Sequence, residues 1–233
     1  MIAATLLTGA AAPGPPRAVV FEKASLSASD AQRICALAPR HCASPARLEL
    51  YRTREGAWWA IAPSRPALLS LARGQEGWTL TRAWDFADRI GFVANASSHT
   101  VHPALYPVAD GVWAAAVVET RTDSYSGGGA AYDSAVFVPL DGRTASPLPG
   151  PAPFSCSRMV RACFSERDYS AAKHCHDEWT GWLTLSYGRA TGQESYVWSG
   201  TWRETAWPQG VAKSAARTTA TPLAKASFCE FDD

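Results

Sequence analysis

The chain has 233 residues, of which 47% are hydrophobic and only 18% charged, with a formal net charge of +1. That length suits one large all-β domain or two small ones, and its core can bury roughly 70–75% of the unfolded surface, so neither metals nor disulfides are required merely to fold. A chain so close to neutral has no long-range field to gather nucleic acid or an anionic membrane, which removes nucleic acid from the expected partners.

The first twelve residues, Met1 to Ala12, form a short apolar run ending in small residues, followed by Pro13-Gly14-Pro15-Pro16. This resembles the hydrophobic and cleavage regions of a secretory signal, although no Lys or Arg precedes the run. Residues 1–16 are therefore expected to be a signal peptide and a Pro/Gly linker, and 17–233 a mostly β domain. No later apolar run approaches the ~20 residues needed to cross a bilayer, so no membrane span is expected and the mature chain reads as soluble. Six cysteines, an even number with no C-x-x-C pair, fit disulfides in an oxidising compartment, periplasmic or secreted.

Ala18 to Phe21 can begin a strand. Ser29 reads as the N-cap of a short helix, Asp30 to Ala38, ended by Pro39. From Arg47 the period changes to two: Leu48 and Leu50 alternate with Glu49 and Tyr51, Arg54-Glu55-Gly56 is a turn, and Trp58 to Ile61 is apolar on both faces. Trp78, Leu80 and Trp84 fall two or four apart. Val112 to Thr122 is apolar on both faces and should sit centrally, covered on each side. Asp133 to Leu140 is its hairpin partner, across a flexible tip at 123–129. Residues 142–153, rich in Pro, Gly and Ser, mark a possible internal boundary. Gly181 to Gly188 and Glu194 to Thr205 form a further hairpin around Ala190-Thr191-Gly192, and the tail from Pro208 to Ser227 should be irregular, tied down at Cys229. Short strands with little helix give a mainly β fold: a single antiparallel sandwich, open barrel or partial propeller, with one short N-terminal helix and disulfides.

Bonded cysteines need Cα atoms roughly 4.4–6.8 Å apart. Cys35 and Cys42 would stand ~10 Å apart in a continuous helix, but Pro39 lets the chain turn back and pair them. Cys156 and Cys163 have that spacing with neither Pro nor Gly between, and a strand would hold them ~23 Å apart. Of the pairings that remain, Cys163–Cys175 and Cys156–Cys229 are preferred, and spacing alone does not decide between them and the alternatives.

The segment Pro153-Phe154-Ser155-Cys156-Ser157-Arg158-Met159-Val160-Arg161-Ala162-Cys163-Phe164-Ser165-Glu166, continuing to His174-Cys175-His176-Asp177-Glu178, resembles uncharacterised exported bacterial proteins. The resemblance covers at most the second half of the chain, and it implies compartment only.

The densest cluster of ligand-type side chains is His174-Cys175-His176-Asp177-Glu178. In an extended chain His174 and His176 share a face and can chelate zinc or copper, with a third ligand from Asp177, Glu178, His99 or His102. Against this, polar residues beside a bonded cysteine commonly just cap a strand. Ser170-Ala171-Ala172-Lys173 matches a serine-acylase S-x-x-K without that chemistry's other elements. Cys175 is no free nucleophile if it is bonded. Gly127-Gly128-Gly129 lacks the surroundings of a phosphate cradle, and Asn95-Ala96-Ser97 reads as a chance sequon. Tyr196, Trp198 and Trp202 share a strand face near Trp179 and Trp182; they form either a sugar-stacking platform or, the ordinary case, core. The balance favours a non-enzymatic binding or interaction module for a protein or glycan ligand, with no cofactor. The alternative is a metal-dependent or carbohydrate-active enzyme using His174 and His176 or the Trp-rich face.

Overall fold

The computed structural model describes residues 16–63, 65–90, 98–143, 146–172, 174–226 and 228–229. The apolar run 1–12 and the Asn95-Ala96-Ser97 triplet lie outside the described residues. In chain order the first half supplies β1 (Val19–Val20), β2 (Glu22–Ala24), α1 (Ala28–Leu37), β3 (Glu49–Arg52), β4 (Trp58–Ala62), β5 (Ala67–Gly74), β6 (Gly77–Asp85), β7 (Ser98–Ala109) and β8 (Val112–Tyr125). The second half supplies β9 (Gly128–Pro139), β10 (Ala152–Arg161), α2 (Glu166–Ala171), β11 (His176–Arg189), β12 (Tyr196–Trp207) and β13 (Arg217–Pro222). These strands form two antiparallel sheets, a small one ordered β2-β3-β4-β5-β6 and a large one ordered β1-β7-β8-β9-β10-β11-β12-β13. The fold is thus mostly β, as the short alternating runs predict.

The chain enters by serving both sheets. Val19 and Val20 pair with β7, while Glu22 to Ala24 pair with β3. Phe21 sits at the crossing, buried, with its N–H donating to the Pro103 carbonyl at 2.9 Å. Its ring stacks on Trp59 at 5.2 Å, and Trp59 stacks on Trp84 at 5.9 Å. The Trp84 indole N–H then donates to the Leu140 carbonyl at 2.9 Å, so one aromatic line runs from the entering strand to the end of β9. Around it, Ile61 and Leu68 of the small sheet share a buried cluster with Val101, Leu105, Ala115 and Val117 of the large one. Side chains of this size each contribute roughly 1.5–3 kcal/mol when fully buried, so this seam holds the sheets face to face.

β8 is covered on both sides. Ala115 and Val117 face the small sheet, and Ala114, Ala116 and Val118 belong to a second cluster with Tyr106, Phe137 and Trp198. The strands on either side of the Pro/Gly/Ser-rich segment, β9 and β10, are neighbours in the same sheet, and Ala152 and Pro153 are already paired with β9.

Three local expectations differ. The N-cap of α1 is Ser27, not Ser29, because Ser27 Oγ accepts the Asp30 N–H at 3.1 Å; the helix therefore starts earlier and ends at Leu37. The tip at 123–129 is far tighter, since Tyr125 pairs with Gly128 and only Ser126 and Gly127 turn the chain, Gly127 taking φ +93° at no steric cost. The tail is not irregular: Arg217–Pro222 adds β13 to the sheet edge, with the Thr205 and Thr218 hydroxyls bonded at 2.7 Å. Threonine suits a pleated edge, but an edge exposed on both faces carries no apolar alternation to reveal it.

Three disulfides staple the chain: Cys35–Cys42 behind α1, Cys163–Cys175 across α2, and Cys156–Cys229, which ties the chain's end to β10. Among the described residues, no helix is long and apolar enough to cross a membrane.

Candidate functional site

β7 and β12 lie five places apart in the large sheet, yet they meet. Ala109 and Ser195 form an isolated bridge, and the Trp198 indole N–H donates to the Pro107 carbonyl at 2.9 Å. The sheet is therefore curled into a half-barrel. Trp198 packs against Phe137 at 5.0 Å, Tyr187 at 5.1 Å and Tyr106 at 6.0 Å, forming the floor of the curl.

Beside that floor lies a cavity of about 570 Å³, lined from five strands: β1 (Val20), β7 (His102, Ala104, Tyr106), β9 (Asp133), β10 (Phe154, Ser155) and β11 (Trp182 to Leu185, Tyr187), with Ala18 ahead of β1. Three lining residues are open to solvent, Trp182 at 40%, Val20 at 64% and Thr184, and they mark the way in. Most of the wall is aromatic or aliphatic. This is the usual make-up of a small-molecule site, an apolar cleft with a few placed polar groups.

Those polar groups are specific. His102 Nδ1 and the Tyr106 hydroxyl are hydrogen-bonded at 2.8 Å, and the imidazole stands edge-on to Phe154 at 4.9 Å. Burial pushes the His102 pKa down, so the ring is neutral at neutral pH. Burial likewise raises the Tyr106 and Tyr187 phenols, which stay protonated. Asp133, Ser155 and Trp182 stand side by side in register across β9, β10 and β11. The Asp133 carboxylate accepts from the Thr120 hydroxyl at 2.7 Å and from the Ser155 hydroxyl. Among the described residues, no Lys or Arg lines the cavity.

A groove of similar volume, about 560 Å³, runs along β2 and β3; there Glu49 accepts from Lys23 at 2.6 Å and from Tyr51 at 2.8 Å, and Arg47 also lines it.

The sequence candidates are dispersed. His174 lies ahead of β11 rather than in it, so the strand alternation that would align it with His176 does not reach it. Its ring stacks on Trp207 at 3.9 Å, and both its nitrogens are buried without a hydrogen-bond partner. His176 opens β11 opposite Arg161, and His99 is the second residue of β7, opposite Glu119. Among the described residues, the group of three whose ligand atoms lie within 4.8 Å of one another is Cys156, Glu204 and Cys229, two of which are disulfide-bonded. Cys175 is bonded to Cys163. The Ser170 hydroxyl donates to the Glu166 carbonyl at 2.8 Å, and Lys173 lies outside the described residues.

The aromatic row divides. Trp202 and Trp198 are core, 1% and 9% exposed, and the Tyr196 hydroxyl is taken up with Asp110. No sugar platform stands there. Trp182, from the neighbouring strand, is the aromatic that faces the cavity and solvent together. Asp133, Phe154 and Ser155 carry no motif; the one signal in the sequence is the carboxylate of Asp133, beside Ser134, within the mostly apolar run Ala130 to Val138.

Comparisons of the chain with protein-family models, with curated proteins and with solved structures return no match, so its function has to be read from geometry.

Proposed function

We propose that the protein is an exported, disulfide-stapled binding module that holds a small molecule in the half-barrel cavity. The observation that carries this reading is the cavity itself: about 570 Å³, mostly apolar, with an exposed tryptophan at its entrance and a few convergent polar groups inside. Three disulfides support the exported setting, since such bonds persist in oxidising compartments. Residues 17–233 act as one unit in this proposal, because both sheets contribute to the seam behind the cavity. The ligand has an apolar body matched to Phe154, Leu183 and Leu185, and one or two polar atoms for Tyr106, Ser155 or Thr184.

The test is a thermal-shift screen of a chemically mixed fragment set, repeated on Leu185→Trp, which puts a large ring into the apolar part of the cavity. Hits that raise the wild-type melting temperature and vanish in a folded Leu185→Trp protein support the reading. Hits that persist in that variant bind elsewhere and overturn it.

A further inference from the structure

The cavity's charge is unbalanced. Asp133 faces it, and the groups bonded to its carboxylate are two neutral hydroxyls, from Thr120 and Ser155. Hydroxyl donors hold the carboxylate in place without cancelling its charge, and among the described residues no Lys or Arg forms an ion pair with it. No cationic side chain lines the walls either, and His102, the one titratable base there, is kept neutral by its burial. An anionic ligand would meet one fixed negative charge and no positive one. A neutral ligand would leave that charge facing an apolar space, where an unpaired ion is costly.

The walls are also rich in aromatic rings. Tyr106, Phe154, Trp182 and Tyr187 line one cavity, and a ring's negative face attracts a cation within about 6 Å, more strongly as water is excluded. Carboxylate and aromatic rings together form a setting complementary to positive charge and to apolar bulk at once. We propose that the cavity's occupant is an organic ammonium ion, an amine or quaternary ammonium group on an apolar body, with its charge held between Asp133 and the rings. This rests on the reading of the cavity as the binding site.

The experiment uses the full chain and three matched probes: benzyltrimethylammonium, its neutral isostere neopentylbenzene, and the anion phenylacetate. Affinities are measured by calorimetry on wild type, Asp133→Asn, Trp182→Ala and Leu185→Trp. The proposal expects the cation to bind at least about tenfold tighter than its isostere, a difference of roughly 1.4 kcal/mol. Asp133→Asn, which keeps an acceptor for the hydroxyls, should remove most of that preference and leave neopentylbenzene unchanged. Trp182→Ala, at a half-exposed position, should weaken the cation while the fold survives. Equal or tighter binding of the neutral probe, blocked by Leu185→Trp, overturns the charge assignment and leaves the cavity reading standing. Binding of no probe, or cation binding that survives Leu185→Trp, overturns both.

Discussion

The Trp198 indole N–H reaches across the curl to the Pro107 carbonyl at 2.9 Å, joining strands that are not neighbours in the sheet. One side chain thus supplies both the floor of the cavity and the link that keeps the sheet curled. Trp198→Phe removes the link while keeping an aromatic ring, and should cost roughly 1–3 kcal/mol, because the buried carbonyl loses its partner. Trp198→Ala also leaves a hole and should cost roughly 3–5 kcal/mol. Urea unfolding followed by far-UV circular dichroism measures both, and equal stability of the two variants would contradict this division of labour.

His102 makes stability fall on acidification. Its pKa is depressed in the folded state by burial, whereas in the unfolded chain it takes the ordinary histidine value near 6.5. Below that value the unfolded chain binds a proton that the native protein refuses, so the stability contributed by the neutral ring is lost as pH falls through about 6.5 and continues downward until the folded ring protonates. For one proton the slope is at most about 1.4 kcal/mol per pH unit. Denaturant melts of wild type and His102→Phe between pH 7.5 and 5 should show the wild-type curve falling and the variant's flatter. Parallel curves would count against it.

Gly181 is glycine because nothing larger fits. A Cβ there would strike the Trp202 ring and stand 2.7 Å from Cys156 Sγ. Trp202 is nearly sealed and Cys156 is fixed by its disulfide, so neither neighbour can retreat. Gly181→Ala should cost roughly 1–3 kcal/mol through overpacking. An unchanged melting temperature would show more slack around Trp202 than the packing allows.

His174 has two buried ring nitrogens without partners, stacked on Trp207. Replacing such a group by an apolar one of similar shape removes a desolvation cost of roughly 1–3 kcal/mol. His174→Phe is therefore expected to raise the melting temperature and to leave any zinc or copper uptake, followed by calorimetry, unchanged. Lower stability together with lost metal affinity would instead make His174 a ligand.

The two-faced run at Val112 to Thr122 and the hairpins around it were legible because their hydrophobic pattern is local and strict. β13 was not: its residues face solvent on both sides, so Thr218 and Thr219 obey no visible period. The start of α1 slipped by two residues because Ser27 and Ser29 are equally good caps on paper, and only the Asp30 N–H decides between them. The site was the least legible part. His102, Asp133, Ser155 and Trp182 come from four strands; the last three meet through the register of β9, β10 and β11 and His102 joins the lining from β7, and no short spacing encodes either. The histidine-rich segment drew attention because its residues are adjacent in sequence, and the fold gives that adjacency no shared third ligand among the described residues.

The Cys156–Cys229 bond joins residues 73 apart in sequence, so β11, β12, β13 and most of β10 lie on a covalent ring. Trp182, Leu183, Leu185 and Tyr187 are all inside it, as is the hairpin tip at 190–195. A protease that cuts that tip opens the ring without releasing either arm, and the two pieces travel as one molecule until a reductant separates them. The β12–β13 arm, which carries Trp198 at the cavity floor, can therefore survive a nick that would release it from an unstapled chain.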